Sequence, residues 1–234
     1  MNNAKNPNIE LLLIAVHQLG ELVDEMVFIG GCATGLLITD AAAPPIRATK
    51  DVDAIVQVTT KSGYYKLSER LRQKGFTEDV SEDAPLCRWI TDNLTLDIMP
   101  TEADILGFGN QWYTAAMDNA EAISLSDKVS IRMVSAPYFL ITKLEAFDGR
   151  GNGDYLLSHD IEDIISVVDG RPELAEEVRL SESALVDVLA IRFHMLLGDQ
   201  AFVDAVSGHM PTDDINQSRV ERILSTIKGI SNQV

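Results

Sequence analysis

The chain is poor in the residues from which zinc centres and covalent sites are usually built. It has two cysteines and four histidines in 234 residues. Cys32 and Cys87 form no metal-spaced pair, and His17, His159, His194 and His209 are scattered without ligand spacing. Neither a zinc centre nor a disulfide framework is read from them. No Ser-His-Asp or Cys-His order emerges for nucleophilic catalysis. Both thiols read as buried and reduced, in a cytoplasmic chain. Basic residues are also scarce, with 19 Lys and Arg against 36 Asp and Glu and a net charge of −17. Such an excess makes a poor general nucleic-acid binder. Long apolar runs are missing too. "LLLIAVHQLG" at 11–20 is too short to span a bilayer, carries His17 and runs into "ELVDE". It reads as neither a membrane span nor a leader. There are no internal repeats and no low-complexity tracts.

What is present is an ordinary globular composition, 46% hydrophobic and 24% charged, long enough for one large domain or two small ones. The charge is uneven. Residues 1–75 hold eight basic and eight acidic residues, so the whole excess lies in 76–234. A local basic patch would draw on Arg47, Lys50, Lys61, Lys66, Arg70, Arg72 and Lys74. The competing reading for most of these is a solvated helix face at 61–74.

The first half alternates between helical and extended patterns. Ile9, Leu12, Leu13, Val16, Leu19 and Val23 recur at helical spacing, predicting one helix over 8–24. "MVFIG" is a short strand, "CATGLLIT" a helix after glycines and "DVDAIVQV" a strand. "SGYYKLSERLRQKG" is a helix, ended by Gly75. "LCRWITDNLTLDIMP" predicts a hairpin turning at Asp92-Asn93, and residues 123–139 a second one. The second half reads as helices over 137–150, 158–170, 171–180, 181–198 and 214–230. The expectation is an α+β fold: a small mixed sheet with flanking helices over 1–135, followed by a C-terminal helical bundle over 136–234.

Asp51 and Asp53 stand one residue apart in an otherwise apolar strand. Alternation places both on one face, about 6.6 Å apart at Cα, with Val52 and Ala54 turned to the core. Two like charges there need a positive partner, and a divalent ion such as Mg²⁺ is the usual one. In "LTLDIMP", Asp97 takes the face opposite Leu96 and Ile98. If this strand lies beside 51–57, three carboxylates meet. Such a trio can hold two metals about 4 Å apart for in-line displacement at phosphorus. Taken singly, each aspartate reads as structural or solvated rather than as a ligand, and only the constellation points to metal. Gly30-Gly31 follows a strand and opens a helix, a place where backbone amides meet anions.

These residues in this order, "IGGCATGLL", "RATKDVDAIV" and "LTLDIM", resemble the polymerase-β-like nucleotidyltransferase superfamily. Further on, "KLEAFDGRGNGDYLLSHDIEDIISVVDGR" is similar to the helical region of AbiEii/AbiGii-type toxin nucleotidyltransferases. Together the likeness spans about residues 26–175. It implies a nucleotidyltransferase fold, an NTP as substrate and two Mg²⁺ ions on Asp51, Asp53 and Asp97. It also implies Lys143 as a catalytic residue. Gly30, Gly31, Thr34, Arg47, Thr49, Asp160 and Asp163 would be nucleotide-binding residues, with Arg150 part of the helical motif. Cys32 departs from the Ser or Thr often found after the second glycine, and "DAAAPPI" lengthens the spacing to the aspartates. Lys143 has a second reading, as a surface lysine paired with Glu145 or Asp148, and Asp160 as a helix-start residue after Ser158. The implied partners are an RNA or small-molecule acceptor and a cognate antitoxin, with no membrane. A small-molecule, antibiotic-type transferase and a non-catalytic nucleotide-binding module are the alternatives.

Overall fold

A computed structural model of the chain describes residues 6–150 and 153–233. Residues 1–5, 151–152 and 234, which fall within the expected domain spans and the helical motif, lie outside the described residues. Two compact units divide the chain. Among the described residues, one comprises 6–33 and 47–135, the other 34–46 together with 136–150 and 153–233.

The α/β unit opens with α1 (Ile9–Leu19), which buries Ile9, Leu12, Ala15 and Leu19. The single helix expected over 8–24 is cut at Gly20, whose φ of 58° ends the α-helical ladder; Gly20–Glu25 continue as a 3₁₀ turn. Then follow β1 (Met26–Ile29), the first turn of α2 (Gly31–Leu37, whose residues from Thr34 on belong to the other unit), β2 (Asp51–Val56), α3 (Lys61–Gln73), β3 (Thr77–Glu78), β4 (Arg88–Thr91) and β5 (Leu94–Pro100). The series ends with α4 (Ala103–Leu106), α5 (Tyr113–Asp118), β6 (Glu121–Ser126) and β7 (Val129–Met133). The N-cap hydroxyl of α3, on Thr60, accepts from the Gly63 amide at 3.0 Å. The strands form one seven-stranded sheet in the order β3-β4-β5-β2-β1-β7-β6. β1 with β7 and β2 with β5 are parallel, and the other neighbours are antiparallel. Both expected hairpins form. β3, α4 and α5 are not legible in the sequence, being too short for a periodic signal. The basic face of α3 is tied down by acids: Arg70 to Glu25, Arg72 to Glu78 and Lys74 to Glu21.

The helical unit contains α6 (Ala136–Arg150), α7 (His159–Gly170), α8 (Leu174–Arg179), α9 (Ser183–Gly198), α10 (Gln200–Gly208), α11 (Asp214–Gln217) and α12 (Val220–Ser231). The helix expected over 214–230 is interrupted at Ser218 and Arg219, and α10 adds a helix beyond those expected. Every residue from Ala136 to Leu144 is buried, which makes α6 the spine of the unit. Residues 34–46 belong here because of specific bonds. The Thr39 and Asp40 amides each donate to the Gly170 carbonyl at 2.9 Å. Arg171 donates to the Leu37 carbonyl at 2.7 Å and Arg219 to Asp40 at 2.8 Å. Asp169, 2% exposed, accepts from Arg219 Nε and Arg222 Nη2, both at 2.8 Å.

Removing one side of a buried ion pair leaves the other uncompensated. Asp169→Ala is expected to destabilise the protein by about 3 kcal/mol, read as a lowered urea midpoint. An unchanged midpoint would show that the two arginines contribute nothing to stability.

Candidate active site

The positions of four charged residues follow from strand register. The β4–β5 turn has two residues, Asp92 and Asn93, so Thr91 faces Leu94 and, counting back, Arg88 faces Asp97. β2 lies parallel to β5 with Asp53 beside Asp97, and Asp51 two residues earlier beside Thr95. Arg88, Asp97 and Asp53 therefore form a row across three neighbouring strands, with Asp51 on the same face. Val52, Ala54, Leu96 and Ile98 are fully buried, and so nearly is Trp89.

Arg88 draws the acids together. Its Nε donates to Asp97 Oδ1 at 2.8 Å and its Nη2 to Asp97 Oδ2 at 2.7 Å, a two-pronged charge-assisted pair. Nη2 also reaches Asp51 Oδ2 at 3.2 Å. The Asp97 side chain is 10% exposed and that of Arg88 25%. Hydrogen bonding to Asp97, against the opposing cost of burial, lifts the Arg88 pKa further above its already high value. The neighbouring Cys87 thiol is pushed up to about 12, by burial first and then by the charges of Asp97 and Asp53. It is protonated at neutral pH and inert as a nucleophile.

The glycine turn is fitted to this row. Gly30 has φ 71°, and a Cβ built on it would lie 2.0 Å from Asp53 Oδ2. Only a residue without a side chain lets the carboxylate lie there. Asn8, 1% exposed, braces the turn. Its Oδ1 accepts from the Thr49 amide at 2.9 Å, while its Nδ2 donates to the Arg47 carbonyl at 3.4 Å and the Gly31 carbonyl at 3.5 Å. Thr49 Oγ1 donates to the Asp51 carbonyl at 3.1 Å, so Thr49 braces the lead-in to β2. Cys32 turns its thiol back to the Ile29 carbonyl at 3.0 Å. In α2, the Thr34 hydroxyl is buried without a hydrogen-bond partner among the described residues.

Sequence reasoning missed Arg88 and Asn8. The two-residue turn "DN" carried the signal for Arg88, since it fixes which residue faces Asp97. Nothing local marked Asn8, whose partners lie 23 to 41 residues away.

Lys143, Asp160 and Asp163 are buried together in the helical unit. Lys143 Nζ donates to Asp160 Oδ1 at 3.0 Å and Asp163 Oδ2 at 2.6 Å. Arg150 donates to both oxygens of Asp160 at 2.9 Å. The surface-lysine reading of Lys143 is overturned: it is 5% exposed, and Asp148 pairs instead with Arg192. Ser158 caps α7, accepting from the Ile161 amide at 3.3 Å.

The three strand aspartates fit a divalent ion in kind, being hard oxygen donors on one face. As the side chains stand, no group of three acid, imidazole or thiol side chains among the described residues is gathered to hold one ion. Each Asp97 oxygen is already engaged by Arg88.

No family model and no curated protein matches the sequence. The chain is similar to the crystal structure of a provisionally assigned nucleotidyltransferase from H. pylori. The TM-score is 0.45 and the identity 13%, over 97% of this chain and 94% of that one. A likeness this distant says nothing of the chemistry.

Two outcomes are expected. Gly30→Ala should lower stability by about 2 kcal/mol or more, from backbone strain and collision with Asp53. Gly149→Ala, where a Cβ meets nothing within 4 Å, should be neutral or slightly stabilising; equal thermal melts for the two would refute the fit of Gly30 to Asp53. The second concerns pH. Burial alone would raise the Asp160 carboxyl, but the Arg150 hydrogen bonds and the Lys143 charge outweigh it and hold the group below its ordinary 3.8. A depressed carboxyl stabilises the fold above its unfolded pKa, and that contribution is lost as pH falls through the lower folded value. Acid titration of stability should therefore steepen below about pH 4 and flatten in Asp160→Asn.

Proposed function

We propose that the chain is a nucleotidyltransferase in which an acceptor hydroxyl attacks the α-phosphorus of an NTP, taking the NMP while pyrophosphate leaves. The observation that carries this reading is the register pairing of Asp53 with Asp97, with Asp51 on the same face and Gly30 closed against Asp53. The motifs resembling the polymerase-β-like superfamily fall on these residues. Asp51 and Asp53 would hold Mg²⁺, and Asp97 would join them or take the acceptor's proton. A bound ion would supply charge withdrawal from the phosphate oxygens. Gly30 and Gly31 would let the phosphates approach the backbone, with Thr34, Arg47 and Thr49 nearby in the sequence as supports. Lys143, Asp160 and Asp163 enter this reading through the resemblance to AbiEii/AbiGii-type toxins, which also suggests a cognate antitoxin. For the acceptor, the net charge of −17 favours a small-molecule hydroxyl over RNA.

One observation favours a second reading. Arg88 neutralises two of the three aspartates, as expected of a non-catalytic module whose carboxylates are structural.

The deciding experiment incubates the protein with Mg²⁺ and each α-³²P-labelled NTP, alone, with total tRNA and with a panel of small hydroxyl acceptors. Label transferred by the wild type and lost in Asp51→Asn is the expected result. Nucleotide bound without transfer to any acceptor would favour the non-catalytic module.

A further inference from the structure

We infer that Arg88 is a built-in cation that a divalent metal has to displace, so that the carboxylate face binds metal only when the β4 arginine lets go. This rests on the nucleotidyltransferase reading, because it concerns the metal that reading requires.

The geometry makes the two cations exclusive. An ion shared by Asp51 and Asp97 must lie close to their oxygens, at about 2.0–2.1 Å for Mg²⁺. Three of their four oxygens, both of Asp97 and Oδ2 of Asp51, now accept from one guanidinium at 2.7 to 3.2 Å. A divalent ion and a guanidinium on the same oxygens would repel each other at short range in a half-buried site. Both cannot stay, and the metal enters only by exchange.

The arginine is placed to be exchanged. Its backbone is fixed, the amide donating to the Pro85 carbonyl at 3.0 Å and the carbonyl accepting from the Asp79 amide at 3.1 Å. Its side chain is 25% exposed and carries a charge that water receives readily. β4 is flanked on its outer side by β3, which pairs only through Thr77 and Glu78. The guanidinium can thus leave the carboxylates while the strand stays paired. With the arginine in place the row is stable without metal, because Asp51 and Asp97 share a positive partner. In a site without this residue, the ion itself would have to supply that compensation.

The test measures metal binding directly, by the loss of the free Mn²⁺ electron-paramagnetic-resonance signal on titration into purified protein at fixed ionic strength. Arg88→Met is expected to bind Mn²⁺ at least tenfold more tightly than the wild type. Arg88→Lys, which keeps a charge but loses the two-pronged contact, should fall between. Circular dichroism checks that each is folded, and Arg88→Lys serves if Arg88→Met is not. Adding Asp51→Asn to Arg88→Met should return binding to weak, locating the ion on this face. Equal or weaker binding by the folded Arg88 variants overturns the exchange while leaving the metal reading intact. Tighter binding that Asp51→Asn does not affect also overturns it, by placing the ion elsewhere. No Mn²⁺ binding by any folded protein removes the metal reading, and this inference with it.

Discussion

A carboxylate lies nearly buried in the middle of the sheet, and its surroundings are shaped by the need to compensate it. Asp97 sits on β5, a strand whose remaining residues are mostly core. An unpaired charge there would be strongly destabilising, on the order of several kcal/mol. Arg88 answers it from the facing position on β4 with two parallel hydrogen bonds. That pairing depends on a turn of two residues and no more. One extra residue at Asp92-Asn93 would slip the register and move every side chain of β4 to the other face. Trp89 would then leave the core, and Arg88 would enter it.

The two units meet the same difficulty in related ways. On the sheet face, one arginine serves two aspartates. In the helical unit, Lys143 serves Asp160 and Asp163, with Arg150 adding a second cation to Asp160. Asp169 is held by Arg219 and Arg222. In a chain with nearly twice as many acids as bases, these internal sites claim a notable share of the basic residues.

Much of the sheet was legible because its signals are local. Alternation placed Asp51 and Asp53 on one face, and the extended pattern of "LTLDIMP" put Asp97 opposite Leu96 and Ile98. The parallel pairing of β2 with β5 stood in the sequence only as a condition, since nothing between them fixes which strands meet. Short elements escaped: four residues of α4 or two of β3 hold barely one period of their pattern, too little for it to recur. The helix break at Gly20 was visible as a glycine but was outvoted by apolar spacing on both sides. Asn8 could not be read at all, because its role is defined by segments brought together only in the folded chain. Arg88 lay between these cases, derivable from the turn once the register is counted.

The helical unit is assembled from two separated pieces of chain, and this has a consequence for how the protein is made. Residues 34–46 emerge from the ribosome long before the residues to which they bond: Leu37 precedes Arg171 by 134 residues and Asp40 precedes Arg219 by 179. During synthesis that segment waits, with its carbonyls and the Asp40 carboxylate served by water, while the sheet strands on either side of it are already present. A fragment ending at Ser135 would carry the segment permanently in that waiting state. The gene cannot be cut at the apparent domain boundary without leaving one unit's piece stranded inside the other.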